Sequence, residues 1–209
     1  MKTEWRKSEK TTYLPKDIAL IDVPPMTYVT LDGAGDPNTP LFGLQIQALY
    51  TLSYTLRMGL KKGRYGLPPF EYTVYPLEGV WTTSDGSRDA ALNKAALVYK
   101  IMIRQPDQVT PAVFADALAQ AQAKKPVPYL TDLRLEQLTD GPCVQTIHVG
   151  PYDDEPATFA QLHAFIAARG LTNPCLLGTY SHREIYLSDA RRVAPAKQKT
   201  TLRLAVAPQ

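Results

Sequence analysis

Cysteine is almost missing from this chain. Its two copies, Cys143 and Cys175, cannot frame a disulfide-bonded fold, and the three histidines, His148, His163 and His182, are too scattered for metal-ligand spacing. No metal and no cofactor is therefore expected. An excess of one charge is also lacking: 23 Lys and Arg stand against 20 Asp and Glu, a formal +3, which makes no case for direct nucleic-acid binding. No segment approaches the about 20 apolar residues of a membrane span. The opening MKTEWRKSEKTTYLPK is basic but has no apolar stretch of the kind a signal peptide needs. A cytoplasmic protein with no membrane contact is the expectation. GxSxG is absent, and the glycines of DGAGDP are followed by neither GK nor Rossmann spacing, so nucleophile-elbow and phosphate-loop chemistry drop out. Cys143 and His148 fall on opposite faces of one expected strand, which argues against a thiol–imidazole pair.

What is present is ordinary globular composition, 44% hydrophobic and 21% charged over 209 residues, and a pattern written twice. In MTYVTLDGAGDPNTPLFGLQIQAL (26–49) an apolar strand runs to a glycine, a turn follows, and a helix begins near Pro40. CVQTIHVGPYDDEPATFAQLHAFI (143–166) repeats this, with Gly33 and Gly150, Asp36 and Asp153, and Phe42 and Phe159 at one common offset. Phe42, Ile46, Leu49, Leu56 and Leu60 keep helical spacing, interrupted by Ser53. The second helix is expected to stop at Arg169–Gly170. Each helix is followed by two strand-like runs: FEYTVYPLEGVWTT and AALVYKIMIRQP in the first half, joined by the turn SDGSRDAALNK, and NPCLLGTYSHREIYLSD and KTTLRLAVAP in the second.

Between the halves, TPAVFADALAQAQAKKP reads as a helix with Thr110 as N-cap and Pro111 at N1, and a further strand is expected near Leu133–Leu138. The fold class is α+β: tandem strand–helix–strand–strand modules forming one antiparallel sheet, helices packed on it, and a ligand crevice at the centre. The chain is one domain over 1–209, with halves at 18–106 and 131–207 joined by a helical connection at 110–124.

HREIYL supplies the candidate chemistry. Alternation puts Glu184 and Tyr186 on one face and Ile185 and Leu187 on the other. The equivalent strand of the first half carries Glu78 and Trp81 in PLEGVW. If equivalent strands meet at the centre, Tyr186, Trp81 and Tyr54 would wall a pocket holding one or two carboxylates. A carboxylate beside apolar rings becomes a better base, and the same group would also hold a ligand cation. A plainly solvated Glu184, packing roles for Trp81 and Tyr186, and a turn role for Glu78 are the structural alternatives. Tyr152, Asp153, Asp154 and Glu155 read as acids meeting a helix N-terminus.

PLEGVW, MIRQP, HVGPYDDEPAT and HREIYLSDARRVAPAKQKTTLR together resemble the GyrI-like small-molecule-binding proteins, in their stand-alone branch, over roughly Ile18 to Val206. The resemblance implies tandem strand–helix–strand–strand modules and lipophilic or cationic aromatic small molecules as partners. It also implies one of three roles. These are hydrolysis of cyclopropane-containing DNA-alkylating compounds of the yatakemycin type, drug binding without catalysis, or action on gyrase. By resemblance Glu184 is the pocket carboxylate and general base, Tyr186 its catalytic neighbour, and Trp81 part of the aromatic lining. Leu97 and Tyr99 stand where relatives often carry tryptophans, which makes Tyr99 a lining candidate and bears on pocket size. No helix-turn-helix region accompanies these motifs.

Overall fold

Proline marks where the longest helix begins. Pro40 sits at its first turn, where a missing N–H costs nothing, and the helix (α3) runs Pro40–Lys61. It follows two four-residue helices, α1 (Trp5–Ser8) and α2 (Lys10–Tyr13), and two strands, β1 (Ala19–Val23) and β2 (Met26–Ala34). The structure, a computed structural model, describes residues 2–88 and 91–209; Asp89 and Ala90, in the turn expected at 84–94, lie outside the described residues. After α3 come β3 (Leu77–Thr83), β4 (Leu97–Arg104), α4 (Pro111–Lys124), β5 (Arg134–Leu138), β6 (Gly141–Val149) and α5 (Glu155–Ala167). The chain closes with β7 (Leu171–Thr172), β8 (His182–Tyr186), β9 (Lys199–Ala205) and β10 (Ala207–Pro208).

Among the described residues one antiparallel sheet has the order β1-β6-β9-β8-β3-β4-β2-β5, and β7 and β10 form a small second pair. The large sheet reads the same from either edge once the halves are exchanged: β2, β3 and β4 correspond to β6, β8 and β9. The edges are traded. β1 precedes β2 in the chain but pairs with β6, while β5 precedes β6 but pairs with β2. The strand at Ala19–Val23, not foreseen from the sequence, is thus an edge of the other half.

The two central strands, β3 and β8, pair with Gly79 opposite Glu184 and Trp81 opposite His182. Side-chain alternation then sorts the sheet into two faces. On the front, Val29, Leu31, Ile101 and Ile103 pack beneath the buried side of α3, where Leu49, Leu52, Leu56 and Leu60 are fully enclosed. Ser53, the break in that helical pattern, is buried as well and accepts a hydrogen bond from Gln105 Nε2 at 3.1 Å. Gln105 also accepts from the Tyr72 hydroxyl, so the glutamine of MIRQP is a core fixture. α4 packs on α3 through Val113, Ala117 and Ala121, with Thr110 capping its N-terminus as expected. α5 covers the second half through Leu162 and Ile166, against Val144, Leu202 and Leu204.

The rear face carries charge instead. Asp140 accepts from Arg183 at 2.6 and 2.8 Å and from Arg203 at 2.9 Å, and Arg183 also reaches Glu78 at 3.1 Å. The N-terminal segment lies over this network. Arg203 donates to the Thr12 carbonyl, Gln145 to that of Thr11 and Thr201 to that of Tyr13. Trp5 is buried and donates to the Val74 carbonyl.

Candidate functional site

Two helices laid on the front of the sheet leave a gap above its centre. The gap is an open cleft of about 2260 Å³, larger than the roughly 300–1,000 Å³ of a usual small-molecule pocket. Trp81, His182, Glu184 and Tyr186 form its floor, α3 contributes Phe42, Ile46, Tyr50 and Tyr54, the turn before α5 contributes Tyr152, and α5 itself contributes Glu155, Phe159 and His163.

The floor is built by register. His182, Glu184 and Tyr186 are alternate residues of β8, so all three face forward. His182 Nε2 lies 2.9 Å from Glu184 Oε1, and its ring meets Phe159 edge-on at 4.7 Å. From β3, Trp81 Nε1 donates to the Tyr186 hydroxyl at 3.1 Å. The indole leans back along its own strand over Gly79, where an added Cβ would come within 2.6 Å of Nε1. The glycine of PLEGVW is therefore what admits the Trp81 ring beside Glu184. Phe42 lies 5.9 Å from Trp81 and edge-on to Tyr99 at 5.3 Å.

The sequence-derived candidates separate cleanly. Glu184, Tyr186, Trp81 and Tyr54 all line the cleft, Tyr54 from its rim with 51% of its surface exposed. Glu78 does not reach it. Strand alternation sends its side chain to the rear, fully buried against Arg183, and burial raises its carboxyl above the ordinary range despite that arginine. Tyr99 also stays out of the lining. It is buried behind Trp81 at 4.8 Å, over Gly33, with its hydroxyl donating to Gln45 at 2.8 Å. It supports the lining from the layer beneath.

Glu155 is more than an acid meeting a helix N-terminus. It opens α5, faces the cleft, is only 6% exposed, and its Oε1 has no hydrogen-bond partner among the described residues. A helix N-terminus favours the ionised form by about 0.3–1 kcal/mol, whereas enclosing an unpaired carboxylate costs several. Burial wins. It is the largest influence, the charge of Glu184 is the next, and together they hold the Glu155 carboxyl far above the usual range, so it is neutral at pH 7. Tyr186 and Tyr152 each feel both carboxylates, and burial with those charges raises both phenols, Tyr152 to about 12. His182 was overlooked as well, although its place two residues before Glu184 on one strand was a usable signal. The cleft thus presents a proton acceptor and a proton donor among aromatic rings, and among the described residues no group of ligating side chains fits a metal ion.

The profile of the GyrI-like small molecule binding domain matches residues 16–207. A crystal structure of an uncharacterized conserved protein from Listeria innocua is 38% identical, with a TM-score of 0.88, and covers 98% of this chain and 100% of its own. A hydrolase from Listeria innocua is 36% identical, with a TM-score of 0.86 and the same two coverages, 98% and 100%. The C-terminal domain of EcmrR, at 12% identity and a TM-score of 0.50, covers 92% of this chain and 98% of its own and shares the fold alone. No curated protein matches the chain.

Proposed function

The chain belongs to the GyrI-like small molecule binding domain family, and we propose that its cleft hydrolyses electrophilic aromatic small molecules, with cyclopropanes conjugated to a dienone as the substrate class. The observation that carries this reading is Glu184: a carboxylate on the cleft floor, oriented by His182 and set among Trp81, Tyr186, Phe42 and Phe159. The 36% identical Listeria hydrolase supports a hydrolytic role.

A flat ligand stacks on Trp81, with its three-membered ring turned toward Glu184. Glu184 accepts a proton from a water as that water bonds to the ring methylene. The strained C–C bond breaks, and its electron pair passes through the dienone to the carbonyl oxygen, leaving a phenolate that takes its proton from solvent. Tyr186, held by the Trp81 indole, hydrogen-bonds the attacking water. General-base assistance of this kind contributes about 10²–10⁴-fold, and release of ring strain lowers the barrier further.

The second reading is sequestration without turnover, with Glu184 as counter-charge to an aromatic cation; the rings around that carboxylate favour it. Purified protein at sub-stoichiometric concentration, given a cyclopropane-containing alkylator, separates the two. Hydrolysis runs past one equivalent, and sequestration stops there. Glu184→Gln keeps shape and hydrogen bonding but loses the basic oxygen. Turnover is expected to fall about 100-fold or more, with a neutral aromatic ligand bound nearly as before. A fully active Glu184→Gln protein removes the proposed mechanism.

A further inference from the structure

The route just described leaves Glu155 unused. Electrons leaving a dienone-conjugated cyclopropane end on an oxygen several bonds from the ring, so no acid is needed beside the base. Yet a carboxyl is buried at the cleft wall with an oxygen that has no partner among the described residues, and no side-chain cap bond ties down the start of α5. Glu155 and Glu184 line the same space, and Tyr186 and Tyr152 lie within the influence of both. A donor and an acceptor on one cleft match a reaction in which water adds at one atom of a strained ring while the neighbouring atom must be protonated at once. An epoxide is such a ring, because its C–O cleavage would otherwise release an alkoxide.

We propose that this cleft also opens aryl epoxides to vicinal diols, with Glu184 as the base and Glu155 as the acid. The proposal rests on the hydrolytic reading above and extends it to a second class of strained ring. The aryl group lies among Trp81, Phe42 and Phe159, which turns the benzylic carbon toward the floor. Water bonds to that carbon as its ring C–O bond breaks, Glu184 takes one proton from the water, and Glu155 gives its carboxyl proton to the ring oxygen. The product is substrate plus water. Return of the proton from Glu184 to Glu155 restores the starting state, and no oxidant or reductant takes part. The acid is available at neutral pH because burial keeps the Glu155 carboxyl protonated.

Styrene oxide and indene oxide in ¹⁸O-labelled water test this, alongside a cyclopropane–dienone compound under the same conditions. The expected result is diol beyond one equivalent, carrying one ¹⁸O at the benzylic carbon. Glu155→Gln, which replaces a neutral carboxyl by a neutral amide of the same shape, is expected to lower diol formation about 100-fold without lowering the melting temperature. Cyclopropane turnover with epoxides opening no faster than in buffer would overturn the proposal and leave the hydrolytic reading standing. Epoxide turnover within threefold of wild type in Glu155→Gln would remove Glu155 as the acid and overturn it equally. Failure of both ring types to react would overturn the two readings together.

Discussion

At the scale of single residues, burial decides what each carboxylate does. Glu184 lies mostly enclosed beside His182, Glu78 is locked against Arg183, and Glu155 is buried at the cleft wall with no cation beside it among the described residues. The last has a measurable signature. Its pKa is raised on folding, so the folded chain holds a proton that the unfolded chain releases above the ordinary carboxylate range. The stability linked to that proton is fully present below the unfolded value, near 4.5, and is lost steadily as pH rises toward the raised folded value. Glutamine has no such dependence. Glu155→Gln and wild type are therefore expected to melt alike near pH ~4 and to diverge with rising pH, the variant being more stable by at most about 1.4 kcal/mol per pH unit. Melting temperatures measured across that range check this, and a difference independent of pH would mean that Glu155 is ionised in the fold.

At the scale of elements, the rear of the sheet turns on the segment between β5 and β6. Asp140, placed there, is the shared partner of Arg183 on β8 and Arg203 on β9, and the two arginines hold its carboxyl below the ordinary range in spite of burial. Arg203 in turn ties down the N-terminal segment at Thr12, which lies outside the part of the chain matched by the family profile. Asp140→Asn leaves two buried guanidinium groups with Glu78 as the one carboxylate among these four side chains. Breaking a buried pair of this kind costs about 3–5 kcal/mol. Urea unfolding is expected to show a loss of that size, and a loss below 1 kcal/mol would mean that water enters the network freely. Because the folded pKa of Asp140 is depressed, its contribution to wild-type stability is lost as pH falls through that value, and the variant lacks this acid limb.

At the scale of the molecule, the traded edge strands tie the halves into one unit. Neither 18–106 nor 131–207 carries all four strands of its own side of the sheet, since β1 completes the second half and β5 the first. The central pair, β3 with β8, joins the halves and holds the cleft floor. Unfolding is expected as a single transition, with helical circular dichroism and tryptophan fluorescence coincident. Trp5 reports the rear strap and Trp81 the cleft, so non-coincident curves would show that the halves unfold separately.

The sequence alone determined whatever depends on local periodicity. Alternation in HREIYL placed Glu184 with Tyr186, proline and threonine set the starts of α3 and α4, and the repeated strand–helix–strand–strand order led to the duplicated sheet. Tertiary structure decided what depends on which surfaces meet. Period two says that Glu78 and Trp81 lie on opposite faces of one strand, but not which face lies under α3 and which under the N-terminal strap. The leading strand of each half carries no mark of its partner, because backbone hydrogen bonds pair any two extended segments and only the packed core selects between them. Four acidic or phenolic residues precede and open α5, and their types are equally suited to solvent; docking of that helix beside β8 encloses Glu155 and leaves Asp153 outside. The carboxyl that the cleft holds neutral is thus a product of packing, since the free energy that protonates it comes from lost hydration, which no residue spacing encodes.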